Sequence, residues 1–88
     1  MQTITLSNPI TVDGISVLEL RARRPKVRDY LAVEHISGSD LSREITLVAN
    51  LTSTTKETIE ELDIADYAKV QEVLKDFFSP VIAQKTLD

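Results

Sequence analysis

An 88-residue chain with 42% hydrophobic and 27% charged residues has the composition of one soluble globular domain, with a core that removes roughly 60–65% of the unfolded surface from water. Ten basic residues against fourteen acidic ones give a net charge of −4, which argues against general affinity for nucleic acid. The chain has no cysteine and one histidine, His35, which excludes a disulfide framework, a thiolate metal site and a histidine cluster. No apolar run approaches the roughly 20 residues that span a bilayer. The N-terminal MQTITLSNP lacks the basic and apolar regions of a secretory signal, so the expected location is the cytoplasm.

Residues 2–12 alternate, with Ile4, Leu6, Ile10 and Val12 on even positions and Thr3, Thr5, Ser7 and Thr11 on odd ones. That is the period of a half-buried strand. Pro9 cannot donate to a ladder, so the strand is expected to be an edge there or to carry a bulge. Asp13-Gly14 marks a hairpin turn, and the return strand runs over about 15–23. Opposed residues of an antiparallel pair share a face, so a two-residue loop would set Leu20 against Ser7. A three-residue loop, Val12-Asp13-Gly14, aligns Leu6 with Leu20 and Ile4 with Ala22, and is the expected form. Two strands alone are marginal, so helices must cover the leucine face.

After Pro25 the period changes to that of helices. A short helix over about 25–35 carries Val27, Tyr30, Leu31 and Glu34, and Gly38 stops it. Asp40 or Ser39 caps a second helix over about 40–52, with Leu41, Ile45, Val48 and Leu51 on one stripe. Thr54 and Glu57 have capping-box spacing before a short helix at 55–62. Asp63 caps the last helix, 63–78, which Ser79-Pro80 ends. The expected fold is α+β: an antiparallel hairpin, then three to four short helices, in one domain over 1–79. Residues 80–88 are expected to form a loosely ordered tail.

Catalytic chemistry finds little support. Gly14 and Gly38 are each explained by a turn, so there is no glycine-rich phosphate loop. His35 sits near a helix end, where an imidazolium favours the dipole. Glu57, Glu60, Glu61, Asp63 and Asp66 lack the alternating oxygen ligands and central glycine of a calcium loop. Carboxylates in first turns of helices have a structural cause. The chain is expected not to be an enzyme and to need no cofactor or metal.

Two features suggest contacts. The run RARRPKVR over 21–28 holds five of the ten basic residues, of which Arg21, Arg23 and Arg24 are candidates for electrostatic contact. No aromatic residue interleaves the run, so bases have no stacking platform. The last helix has two apolar stripes: Ile64, Tyr67, Gln71, Leu74 and Phe78, and beside them Val70, Val73 and Phe77. A small hairpin core needs only the first. Either the other helices wrap the second stripe, or Val70, Val73 and Phe77 are an exposed partner-binding surface.

The pattern Ile4-Thr-Leu6, Pro9-Ile, Val12-Asp-Gly14, Leu18-x-Leu-Arg21 and Pro25-x-Val-x-Asp29 continues with Gly38, Glu44, Leu47-x-Ala-x-Leu51 and Leu62-Asp-x-x-Asp-Tyr67. Over residues 3 to 78 it resembles the tail assembly chaperones of contractile-tailed phages, the small E-like, Mu-type group. Arg24 and Lys26 depart from the pattern, where family members often carry an acidic or small residue and a Thr cap. The resemblance implies a non-catalytic protein of phage or prophage origin, acting in the host cytoplasm and not retained in the virion. It implies binding to the tape measure protein, with the tail-tube protein as a further candidate partner, and no catalytic, cofactor or metal residues. Two other readings stand beside it: a small nucleic-acid-binding regulator using the 21–28 run, and a minor structural tail adaptor. The free edges of a two-stranded hairpin also leave room for self-association.

Overall fold

The computed structural model describes the backbone of residues 1–87 and the side chains of residues 1–77. Two strands, β1 (Gln2–Val12) and β2 (Ile15–Ala22), form an antiparallel hairpin. Four helices follow: α1 (Val27–Glu34), α2 (Asp40–Thr52), α3 (Lys56–Glu60) and α4 (Ile64–Leu87). This is the α+β arrangement expected from the alternation, the turn signals and the change of period. Element limits agree closely except for α4, which continues through Ser79-Pro80 to Leu87 instead of ending near Phe78. Proline deletes one helical hydrogen bond, but Ala83, Gln84 and Lys85 beyond it are good helix formers. The loose tail expected over 80–88 concerns packing that lies outside the described residues.

The hairpin turn corrects the expected register. Val12 pairs with Ile15, leaving a two-residue loop of Asp13 (φ 51°) and Gly14 (φ 78°). Positive φ at both positions is the type I′ turn, whose twist matches that of the strands. The parity conflict is resolved further along. Thr5 pairs with Glu19 and Ile10 with Val17, so four residues of β1, Leu6 to Pro9, face only Leu18 of β2. The odd surplus restores Ile4 opposite Leu20, and both side chains reach the core. A bulge therefore does what a third loop residue was expected to do. Pro9, which has no N–H to lose, lies inside it.

Asp66 on α4 holds the bulge. Its carboxylate accepts the Ser7 N–H at Oδ1 and the Asn8 N–H at Oδ2, each at 2.9 Å, and is fully buried. Lys69, one turn on, lies 3.2 Å from Asp66 Oδ1 and donates to Thr5 O (3.0 Å) and Ser7 Oγ (2.6 Å). The bulge's backbone donors thus find acceptors although the ladder has lost them. The two N–H bonds and the ammonium hold the Asp66 carboxyl below the ordinary carboxylate range despite its burial.

Helix ends follow local chemistry. Ser39 caps α2, its side chain accepting the Ser42 N–H at 3.1 Å. Thr55 caps α3, not Thr54, through the Thr58 N–H at 3.2 Å. Thr54 is already used in closing α2, where its own N–H donates to Ala49 O at 2.9 Å. Asp63 opens α4 as expected, accepting the Ala65 N–H at 2.9 Å. The core lies between the hairpin and the helices: Ile4, Leu6 and Leu20 meet Val48 and Leu51 of α2, Ile59 of α3, and Val70, Leu74 and Phe77 of α4. Leu41, expected on the buried stripe of α2, is instead half exposed.

Two expectations follow. Leu51→Ala should lower unfolding free energy by about 2–5 kcal/mol in urea titrations, because Leu51 is among the most completely buried side chains. Asp66 and Asp29 both have folded pKa values below their unfolded ones. Their stabilisation is therefore complete above the unfolded value, about 4, and is lost as pH falls towards the folded values. Melting temperature should drop steeply below about pH 4. The double variant Asp29→Asn, Asp66→Asn should start lower at pH 7 and show a shallower acid decline.

Candidate functional site: an apolar groove between α1, α2 and α4

The basic run resolves into a junction. Arg23 donates to both oxygens of Asp29, Nη1 to Oδ2 at 2.9 Å and Nη2 to Oδ1 at 2.8 Å. Asp29 also accepts the Lys26 N–H at 2.6 Å, so one carboxylate fastens the end of the hairpin to the first turn of α1. The Arg23 pair first, and the Lys26 N–H second, hold the Asp29 carboxyl well below the usual range. Just past β2, the Arg23 N–H donates to Leu51 O of α2 at 3.1 Å. Arg24 places its guanidinium 5.4 Å from the Phe77 ring centroid and donates to Phe77 O at 3.3 Å. Arg21 stays at the surface beside Glu19, at 3.5 Å. Two of the three candidate arginines are thus committed to this fold's own groups.

The second stripe of α4 is wrapped by its neighbours. Val70 and Phe77 lie in the core, and Val73 is partly buried against it. They form no exposed surface, so the accessible apolar face must be sought elsewhere. The first stripe is split: Tyr67 and Leu74 are buried, Ile64 and Gln71 are exposed, and the Phe78 side chain lies outside the described residues. Asp66 explains the choice, because it shares a helix face with Val70 and Phe77 and turns that face to β1.

The exposed face lies on the other side of the helices. Asp29 and Val33, four residues apart, point α1 inward, which leaves Val27, Tyr30 and Leu31 outside. They line a groove of about 820 Å³ together with Leu41, Glu44 and Leu47 of α2 and Gln71, Leu74 and Lys75 of α4. A second hollow of about 320 Å³ shares Leu41 and Gln71 with it and is also lined by Ile64. Val27 at the first and Ile64 at the second are 78% and 81% exposed. The large exposed apolar residues of the helices therefore border these two hollows. The charged lining residues of the groove are Glu34, Asp40, Arg43, Glu44 and Lys75, of which Asp40 and Arg43 pair with each other.

The sequence carried a sign of this face in Val27, Tyr30 and Leu31, at spacings of three and four. Their spacing suits a short helix, but periodicity marks an apolar face without saying what covers it. The chemistry available is recognition. Tyr67 lies beside the hollow with its buried hydroxyl in the field of Glu44, yet no well-formed hydrogen bond reaches it from a described group. Burial first, then Glu44, pushes the phenol far up, so it stays neutral. His35 stands at the C-cap of α1. Among the described residues, no group of three or more His, Cys, Asp or Glu could hold a metal ion. No described helix is long and apolar enough to cross a membrane.

Comparison with known proteins gives one family. A family model described as phage tail assembly chaperone proteins, E, or 41 or 14, matches residues 3–79. Neither the curated proteins nor the solved structures contain a match.

The two faces respond differently to charge. Phe77→Asp should abolish cooperative unfolding, since even Phe77→Ala is expected to cost about 3–5 kcal/mol. Leu31→Asp should shift stability by no more than about 0.5 kcal/mol in the same urea titration.

Proposed function

The chain belongs to the phage tail assembly chaperone family, and we propose that it acts by holding a helical segment of the tape measure protein in the α1–α2–α4 groove. In this reading it is a non-catalytic protein of the host cytoplasm that assists assembly of the tail tube around the tape measure and is absent from the finished particle. The tail-tube protein is a second partner, met as the tube grows.

One observation carries the proposal: an open apolar groove bounded by three helices, on a chain too small to need that surface for its own core. An amphipathic helix lays its apolar face into such a groove, with anchors at spacings of three, four and seven residues. A tape measure protein is a long, largely helical chain whose apolar seams stay uncovered until the tube encloses it. A groove of this size covers only a short stretch of such a seam. Several copies must therefore bind along it, each weakly enough to be displaced by tube subunits. The burial of Val70 and Phe77 moves the proposed contact from that stripe to Val27, Tyr30, Leu31 and Leu41. Here Arg23 acts by fixing α1 through Asp29, and Arg24 by lying against Phe77 of α4.

Co-expression of the chain with the tape measure protein, followed by affinity capture, tests the reading. The double variant Leu31→Asp, Leu41→Asp should fold normally by circular dichroism yet capture at least about tenfold less partner, the scale of a buried anchor. Asn50→Asp, at an exposed position of α2 outside the groove, should capture as the parent does. Full capture by the double variant overturns the groove. Stoichiometric recovery of the chain in purified particles overturns the transient role and favours a tail adaptor.

A further inference from the structure

The hairpin has two outer edges, and the fold treats them differently. On β1, Pro9 and the bulge interrupt the edge, Asp66 binds the Ser7 and Asn8 N–H groups, and Lys69 binds Thr5 O. Those are the devices by which proteins prevent a strand edge from pairing with another chain. On β2, Ile15–Ala22 contains no proline, lysine or glycine, and its two charges, Glu19 and Arg21, pair with each other. Among the described residues, no hydrogen bond from outside the hairpin reaches the backbone of Ile15–Ala22. The first half of β2 is also apolar and uncovered, with Ile15 68% and Leu18 61% exposed.

We infer that the outer edge of β2 is a self-association surface whose occupant is a second copy of this chain, paired antiparallel about a two-fold axis to make a four-stranded sheet. Side-chain chemistry selects the register. Opposed residues must share a face, so the axis passes through one residue of β2. Centred on Glu19, the pairing would oppose like charges. Centred on Leu20 or later, it would draw in Arg23, whose N–H is held by Leu51 O. Centred on Leu18, it sets Leu18 against its own copy, Val17 against Glu19 and the Ile15 side chain along the stem of Arg21. Leu18 then loses its exposure, and the strand opposite the bulge gains a partner on its open side. A single added strand pair lies at the low end of interface area, so the dimer is concentration-dependent. The surface is separate from the groove, and either can exist without the other.

Absence of native cysteine makes the test direct. In light scattering after gel filtration the parent chain should move from monomer to dimer mass as concentration rises. Leu18→Lys should remain a monomer over the same range with an unchanged circular dichroism spectrum. Under mild oxidation Leu18→Cys should form a covalent dimer, because residues on the axis oppose themselves, whereas Thr3→Cys on β1 should not. A parent chain that stays monomeric, a dimer that survives Leu18→Lys, or equal cross-linking at positions 3 and 18 overturns the inference.

Discussion

The contact between one buried carboxylate and one bulged strand decides most of this fold. Asp66 can be buried as an anion only because Ser7, Asn8 and Lys69 meet its oxygens. The bulge can leave its ladder only because Asp66 accepts its donors. Each feature would be costly alone, and together they fix a single arrangement. The bulge sets the register that turns Ile4, Leu6 and Leu20 inward. Asp66 sets the rotation of α4, which turns Val70 and Phe77 inward beside Tyr67 and Leu74 and leaves Ile64 outside. The outward side of α4 then becomes the floor of the groove by default.

That coupling marks the boundary of what the sequence made legible. Alternation in residues 2–12, the Asp13-Gly14 turn and the helical periods after Pro25 gave the element order, and Pro9 pointed to either an edge or a bulge. Asp63 was readable as a cap, and Ser39 as one of two candidates with Asp40, because capping is local. The loop length was misjudged because parity can be restored anywhere along a hairpin, and only contact with α4 shows where. Likewise Val70 and Phe77 could not be told from Tyr67 and Leu74 by periodicity, since adjacent stripes on one helix are equally apolar. Asp66 carried the deciding information, but its partners lie nearly sixty residues away. In the candidate site, Val27, Tyr30 and Leu31 were visible as a stripe. Their exposure was not, because it depends on Asp29 and Val33 claiming the inner face of α1.

The basic run illustrates how charge in an acidic protein serves geometry. Arg23 spans from the end of the hairpin to Asp29 and, through its backbone, to the last turn of α2. Planar bidentate pairing suits that task, since a guanidinium fixes direction as well as distance. Arg24 spans to α4 by lying near the Phe77 ring. Two adjacent arginines thus brace three helices around the point where β2 ends. The net result is a groove whose walls are braced from behind and whose lining comes from α1, α2 and α4.

Leu74 contributes both to the core and to the groove, on the same helix that Asp66 ties to β1. A guest in the groove therefore cannot stabilise its seat without stabilising the whole chain. The added free energy grows with the logarithm of guest concentration. Engaged copies are then protected from global opening, and emptied copies lose that protection together. The loaded and empty states therefore differ in lifetime before any protease is chosen. Lifetime is in this sense a property of where one leucine sits.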